Sequence, residues 1–501
     1  MNIRVETTAG VLRGWTDGTV ASFLGIQYGE APTRARRFQA AAAAAPWSGI
    51  RDATRFGPVC PQTRLTFDYA WCGFVGVGAD VTSEDCLTLN VWTPSTDRST
   101  SLPVLVWIHG GGFASGGPAF LNTDGTALAR RGDVVVVSIT HRLNVFGYLF
   151  LGGIAGESYR DSANVGQLDI VRALEWVRDN IAQFGGDPRR VTVFGQSGGG
   201  AKIGCLMAMP AASGLFSGAV MQSGIRTVGP TLERADDYAR QLLDQLGLPS
   251  DRWHRLLGLP HDQIVQAAAE VDAVRKSEFL EPGPVADGSV LPAAVIDAVR
   301  VGSASGVRLM IGTCVDELQL GWKPNTDSST LEELEKRLGE HGGDVVRAYA
   351  AAGPSMSEDD TAKLITSDWK FRIPSLRFAE AQLEAGQEDV YFYLFGWNSR
   401  IMPEARAAHS MDIPFWFGNT SNIPVTAGDP SSRNLELQMT EALVAFARDG
   451  DPNHANLPRW ARYEPGGRAT MILDHPSRAE EDPAGRHRRA WEGVPDSKLG
   501  V

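Results

Sequence analysis

Cysteine is scarce in this chain, with five among 501 residues. That is too few for a disulfide scaffold, and Cys60, Cys72, Cys86, Cys205 and Cys314 never take the paired C-x-x-C spacing of a structural zinc site. H-E-x-x-H is missing too, so no metal or other cofactor is expected. Long apolar runs are also absent. The most apolar, Val104–Ile108 and Val134–Val137, are far too short to span a bilayer. The opening Met1-Asn-Ile-Arg-Val-Glu-Thr-Thr8 has no basic start followed by an apolar stretch, so a secretory signal is not expected and a cytoplasmic location is. Positive charge is in deficit: 47 Lys and Arg against 59 Asp and Glu give a net charge of -12. No basic cluster with interleaved aromatics offsets it, which argues against nucleic acid or an anionic membrane as partner.

What remains is an ordinary globular composition, 43% hydrophobic and 21% charged. A chain of this length buries roughly three quarters of its unfolded surface. The first third reads as strands and turns, with alternating runs Val5–Arg13 and Val20–Tyr28 around the hairpin-like Thr16-Asp-Gly18. The alanine-rich run 40–45, closed by Pro46-Trp47, reads as a surface connection. From about residue 86, strand-like segments (Leu87–Trp92, Val104–Ile108, Val134–Thr140, Val191–Phe194) alternate with helical ones such as Ile170–Asn180. This pattern predicts an α/β fold with a mostly parallel sheet covered on both faces. Helical stretches at about 232–271 and 331–384 read as insertions in a single domain spanning 1–501. Arg308–Gly312 and Val390–Leu394 read as further strands, and Leu435–Arg448 as a helix stopped by Gly450-Asp-Pro452.

The most informative stretch is Arg190-Val-Thr-Val-Phe-Gly-Gln-Ser197-Gly-Gly-Gly200. It is a G-x-S-x-G nucleophile elbow, in which Gly195 and Gly199 make room for a tight strand-to-helix turn that thrusts the Ser197 hydroxyl into a cleft. The helix that follows aims unpaired N–H groups and its positive dipole end at the same spot. A serine nucleophile needs a histidine base held by a carboxylate, in the chain order serine, acid, histidine for this elbow. Of His341, His409, His454, His475 and His487, only His409 lies at a polar-to-aromatic junction suited to a cleft wall, Ala408-His-Ser-Met-Asp-Ile-Pro-Phe-Trp-Phe-Gly418. The acid belongs just past a strand, where Asp316 and Glu317 compete and spacing alone does not choose between them. Oxyanion donors come from His109-Gly-Gly-Gly-Phe113, where consecutive glycines let the N–H groups of Gly111 and Gly112 turn toward a ligand beside that of Gly198. No G-K-[ST] follows, which argues against the rival phosphate loop.

With these pieces in order, nearly the whole chain resembles the type-B carboxylesterases, the carboxylesterase/cholinesterase family, and specifically its bacterial para-nitrobenzyl-esterase-like branch. The resemblance rests on Phe23–Tyr28, Gly57–Gln62, Ser83-Glu-Asp-Cys-Leu87 through Trp92, His109–Phe113, His141–Gly147, Asn180–Pro188 with its Phe-Gly-Gly-Asp-Pro, Met221–Gly224, Pro284–Gly288 and Gly450–Asn453. It implies an α/β-hydrolase fold. Its Gly-Thr-x-x-x-Glu pattern selects Glu317 as the acid. Its histidine segment matches His409–Pro414, with Ser410 where glycine is common, and its supporting serine matches Ser223, expected to orient the acid. The family elbow is usually Gly-Glu-Ser-Ala-Gly. Here Gln196 removes a charge beside the site, which should alter its pH response, and Gly198 is expected to loosen the turn. The family pairs Cys60 with Cys86, a bond that a cytoplasmic location would keep reduced, with Cys72 between them as a competitor. Among the aromatics Phe67, Tyr69, Trp71 and Phe74, Trp71 is out of step with the cation-binding tryptophan of cholinesterases, so choline recognition is not carried over. Candidate substrate-wall residues are Trp71, Phe113 and Phe415, although the loop aromatics fit a loop core of their own equally well.

The expectation is therefore a serine hydrolase that takes small, largely apolar carboxylic esters through an acyl-enzyme, without a cofactor. An acyltransferase or cyclase using the same triad, or a hydrolase of carbamates, amides or lactones, is the alternative. Neither the physiological substrate nor the oligomeric state follows from the sequence.

Overall fold

The computed structural model describes residues 1–63, 72–74, 81–225, 229–275, 281–318, 329–353 and 355–500. Thirteen strands among them form one sheet. The N-terminal part supplies β1 (Asn2–Glu6), β2 (Val11–Thr16), β3 (Ala21–Gln27), β4 (Ile50–Asp52) and β5 (Thr88–Thr93). The central strands are β6 (Leu102–Ile108), β7 (Val135–Ile139), β8 (Gly186–Gln196), β9 (Gly218–Gln222), β10 (Arg308–Cys314) and β11 (Val390–Phe395), and the far edge is β12 (Ala469–Leu473) and β13 (Arg478–Glu481). Their order is β1-β2-β3-β5-β7-β6-β8-β9-β10-β11-β12-β13, with β4 beside β2. Pairing is parallel from β7 through β12 and antiparallel at both ends, apart from the parallel pair β2–β4.

The first alternating run does not form one strand. Thr7 and Gly10 exchange backbone hydrogen bonds, so the chain turns back on itself between β1 and β2. The expected Thr16–Gly18 turn joins β2 to β3. The sequence pattern does not show strands β4, β9, β12 and β13; β9 is the short Gly-Ala-Val-Met-Gln, too brief to show a period.

Period-two geometry divides the central strands between two core layers. Val104, Val106 and Ile108 of β6 join Val135, Val137, Val191 and Val193 on one face, where Ile170, Leu174 and Val177 of helix α1 (Val165–Asn180) pack. Leu105, Trp107, Val136 and Phe194 lie on the other face, against Leu435, Met439 and Leu443 of the long C-terminal helix Pro430–Asp449. That helix ends at Gly450, whose φ of 80° gives the left-handed turn glycine accepts readily. After β8 comes α2 (Gly198–Ala208), and in 232–271 lie α3 (Leu232–Gln245), capped by Thr231, and α4 (His261–Arg275). Among the described residues the 331–384 stretch carries four α-helices: α5 (Leu331–Leu338), opened by a Thr330–Glu333 capping box, α6 (Gly342–Ala352), α7 (Glu358–Ser367) and α8 (Ile373–Glu384). Among the described residues no helix is long and apolar enough to cross a membrane.

The parallel strands determine where chemistry can gather. The segments carrying His109–Gly112, Ser197, Ser223, Glu317 and His409 all follow the C-terminal ends of β6, β8, β9, β10 and β11. Loops in open α/β sheets converge at that edge.

Candidate active site

Ser197 sits between β8 and α2 with φ 56° and ψ −124°, a conformation that costs a residue with a side chain about 1–3 kcal/mol. The turn is held because the Ser197 N–H donates to Gln222 O at 2.7 Å, binding the elbow to the end of β9. A Cβ on Gly195 would lie 2.6 Å from Ile108 O, and one on Gly199 would strike the same oxygen. Both glycines are thus required by the neighbouring strand as much as by the turn.

Glu317 and His409 meet across two loops. Glu317 Oε2 lies 2.5 Å from His409 Nδ1, the His409 N–H donates to Glu317 O at 3.2 Å, and Glu317 is almost fully buried. Asp316 points elsewhere, toward Arg406 at 3.9 Å. Glu317 Oε1 accepts from the Cys314 N–H at 2.8 Å, and the same N–H reaches Ser223 Oγ at 3.4 Å. Ser223 therefore shares an amide with the acid. Ser410 has φ 71°, which explains the glycine common at this position in the family. Behind the pair, Asp412 receives Tyr393 Oη and Trp416 Nε1, each at 3.2 Å; burial, then the charge of Glu317, pushes its carboxyl up to about 6.

Gln196 is buried, and its Nε2 lies 3.1 Å from His409 Nε2. With Nδ1–H directed at Glu317, Nε2 carries the lone pair, and the amide donates to it. The family resemblance placed Gln196 beside the site, but its contact with the imidazole is visible only in the structure.

The N–H groups of Gly111, Gly112 and Gly198 donate to no protein acceptor among the described residues. Gly111 (φ 90°) and Gly112 (φ 61°) take left-handed conformations. A methyl on Gly198 would fall on the Gly112 carbonyl oxygen and 2.5 Å from Gly112 Cα, so the missing side chain lets the glycine loop close onto the elbow helix.

Ser197, His409, Gln196 and the glycine loop line one cavity of about 250 Å³. Its apolar wall is Phe74, Trp107, Phe120 and Ile413, with Phe74 edge-on to Phe120 at 5.4 Å. Two expected wall residues lie elsewhere. Phe113 is buried against Tyr148 at 5.2 Å, and Phe415 is buried between Phe395 and Trp397. In the short helix Ile413–Phe417 a step of two residues turns about 200°, so Ile413 faces the cavity and Phe415 the core. Trp71, Phe67 and Tyr69 fall outside the described residues. Sequence reading missed Trp107, Phe120 and Ile413; the one signal was the position of Trp107 three residues before the first of the glycines, Gly110.

Cys60 and Cys86 are free thiols rather than a disulfide. They are in hydrogen-bond contact, which with burial pushes the Cys86 thiol well above its ordinary value. Among the described residues, no group of three or more His, Cys, Asp or Glu is arranged to hold a metal ion.

A mostly parallel sheet with a serine elbow after β8 and loops gathered at its C-terminal edge defines an α/β-hydrolase. The carboxylesterase family model matches residues 2–491. The para-nitrobenzyl esterase of Bacillus subtilis is 35% identical over 97% of each chain, and the phenmedipham hydrolase of Pseudarthrobacter oxydans 33% identical over 93% of this chain and 94% of that one. Among solved structures, the Geobacillus stearothermophilus carboxylesterase EST55 superposes with a TM-score of 0.87 at 37% identity, covering 97% of this chain and 99% of that one. The chain belongs to the carboxylesterase family and is a carboxylic-ester hydrolase.

Proposed function

We propose that ester hydrolysis here runs through Ser197, His409 and Glu317. The observation that carries this reading is the 2.5 Å contact between Glu317 and His409 on the cavity that also holds the Ser197 elbow. Ser197 Oγ forms a bond to the ester carbonyl carbon while His409 Nε2, once the Gln196 amide that holds it at rest lets go, takes the hydroxyl proton and the carbonyl π pair moves onto oxygen. Gly111, Gly112 and Gly198 donate to that oxyanion, a task for which their N–H groups have no competing acceptor among the described residues. Such a donor is typically worth about 100- to 1000-fold in turnover. The intermediate collapses, the carbon–alkoxy bond breaks, and His409 returns the proton to the leaving alcohol. Water then repeats the sequence on the acyl-enzyme, releasing acid and restoring Ser197.

Phe74, Trp107, Phe120 and Ile413 favour small, largely apolar esters, consistent with a relative named for para-nitrobenzyl esters. Residues 1–501 are read as one catalytic domain with the helices of 232–271 and 331–384 as insertions, supported by a family match that runs from 2 to 491. A cytoplasmic location belongs to the same proposal, supported by five thiols left unbonded. Ser197→Ala tests the mechanism: turnover of para-nitrophenyl acetate and labelling by a fluorophosphonate should both vanish. A variant that keeps wild-type turnover would refute it.

A further inference from the structure

Lys202, one turn into α2, is fully buried, and no carboxylate among the described residues pairs with it. Its Nζ donates to His109 O at 3.0 Å. His109 follows β6 and begins the glycine loop, so this hydrogen bond spans from the helix that presents the Gly198 N–H to the loop that presents those of Gly111 and Gly112. The rest of the loop is held by uncharged groups. His109 Nδ1 donates to Gly110 O at 2.9 Å, its ring stacks on His141 at 4.6 Å, and Gln62 grips both the N–H and the carbonyl of Gly116. Lys202 is the cation among them, with its Nζ 5.7 Å from the Phe113 ring centroid.

The groups facing Lys202 offer it no negative charge. Burial holds the His109 imidazole down at about 3 and that of His141 well below its ordinary value, and it pushes the Cys205 thiol on the same helix up to about 12. All three are neutral near pH 7. A buried ammonium without a counter-ion is costly, and burial brings Lys202 itself down to about 7. A lone buried cation of this kind makes electrostatic sense beside a site where an anion forms transiently.

We infer that Lys202 is a positioning residue for the oxyanion hole, its Nζ–H tethering the His109 carbonyl, and with it the Gly111–Gly112 loop, to the elbow helix. The inference rests on the reading of Gly111, Gly112 and Gly198 as oxyanion donors. Gly198 contributes by letting the loop close against α2, and Lys202 holds it there.

The test compares wild type, Lys202→Met and Lys202→Gln on para-nitrophenyl acetate. Lys202→Met should lower kcat by about 10- to 100-fold with KM within about twofold. Lys202→Gln, which keeps an N–H for the carbonyl, should recover part of the loss. An unchanged kcat or a loss confined to KM would overturn the inference. Lys202→Gln decides alone if Lys202→Met does not fold. Full turnover by Ser197→Ala would instead sink the underlying mechanism, so the two failures are distinct.

Discussion

The contact between Gln196 and His409 yields a quantitative expectation for Gln196→Glu. The change swaps one amide for a carboxylate of nearly the same shape at a position 1% exposed. Its oxygen would stand where the Nε2 amide now lies, 3.1 Å from His409 Nε2. A unit charge pair at that separation is worth about 5 kcal/mol at an effective dielectric of 20 and about 1.3 kcal/mol in water. At 1.36 kcal/mol per pKa unit this brackets a shift of about 1 to 4 units, and burial of the new carboxylate keeps the outcome near 2. The sign follows from the chemistry: a facing carboxylate favours imidazolium, whereas the base must be neutral. The acid limb of kcat/KM for para-nitrophenyl acetate should therefore move up by about 2 pH units. One unit above the wild-type midpoint the variant should be about tenfold slower, and three units above it nearly equal to wild type. Stopped-flow or plate-reader kinetics across pH 5 to 10 would measure it. A limb displaced by less than about 0.3 unit, with the fold intact by circular dichroism, would refute the placement of Gln196 against the imidazole.

Two further changes address the carboxylates around His409. Glu317→Gln should cut kcat by about 10⁴, because the base loses the partner that holds its tautomer, while Asp316→Asn, whose side chain faces Arg406, should stay within about threefold; steady-state kinetics of the pair would check this. Asp412 has a folded-state carboxyl raised from 3.8 to about 6, so its stabilising contribution is complete below pH 3.8 and is lost as pH rises through 6. Two units correspond to about 3 kcal/mol, and the melting temperature of Asp412→Asn relative to wild type should climb between pH 4 and 7.

Much of the molecule was legible in the chain because its signals are local. The central strands β6, β7 and β11 are short β-branched or aromatic runs, β10 carries the apolar Leu309-Met-Ile311, and the helix Val165–Asn180 repeats its apolar residues at helical spacing. The elbow depends on glycines two residues either side of Ser197, within one turn of chain. Candidate histidine and acid followed from chain order and strand ends, and the choice of Glu317 came from family resemblance.

What the sequence left open depends on groups far apart along it. Asp316 and Glu317 are adjacent, yet only the packing of the His409 loop onto β10 turns one toward the imidazole and the other toward Arg406. Phe113 and Phe415 looked like cavity walls, but the turn after β6 packs Phe113 on Tyr148 and helix phase sends Phe415 into the core, while Trp107, Phe120 and Ile413 take their place. The closeness of Gly112 to Gly198 and the reach of Lys202 to His109 arise from β6 and β8 lying side by side, residues separated by about 90 positions whose juxtaposition no local pattern encodes. Local sequence specified which elements form and which residue types carry the chemistry. Their mutual orientation is set by burial of both sheet faces at once, a condition that exists only in the assembled fold.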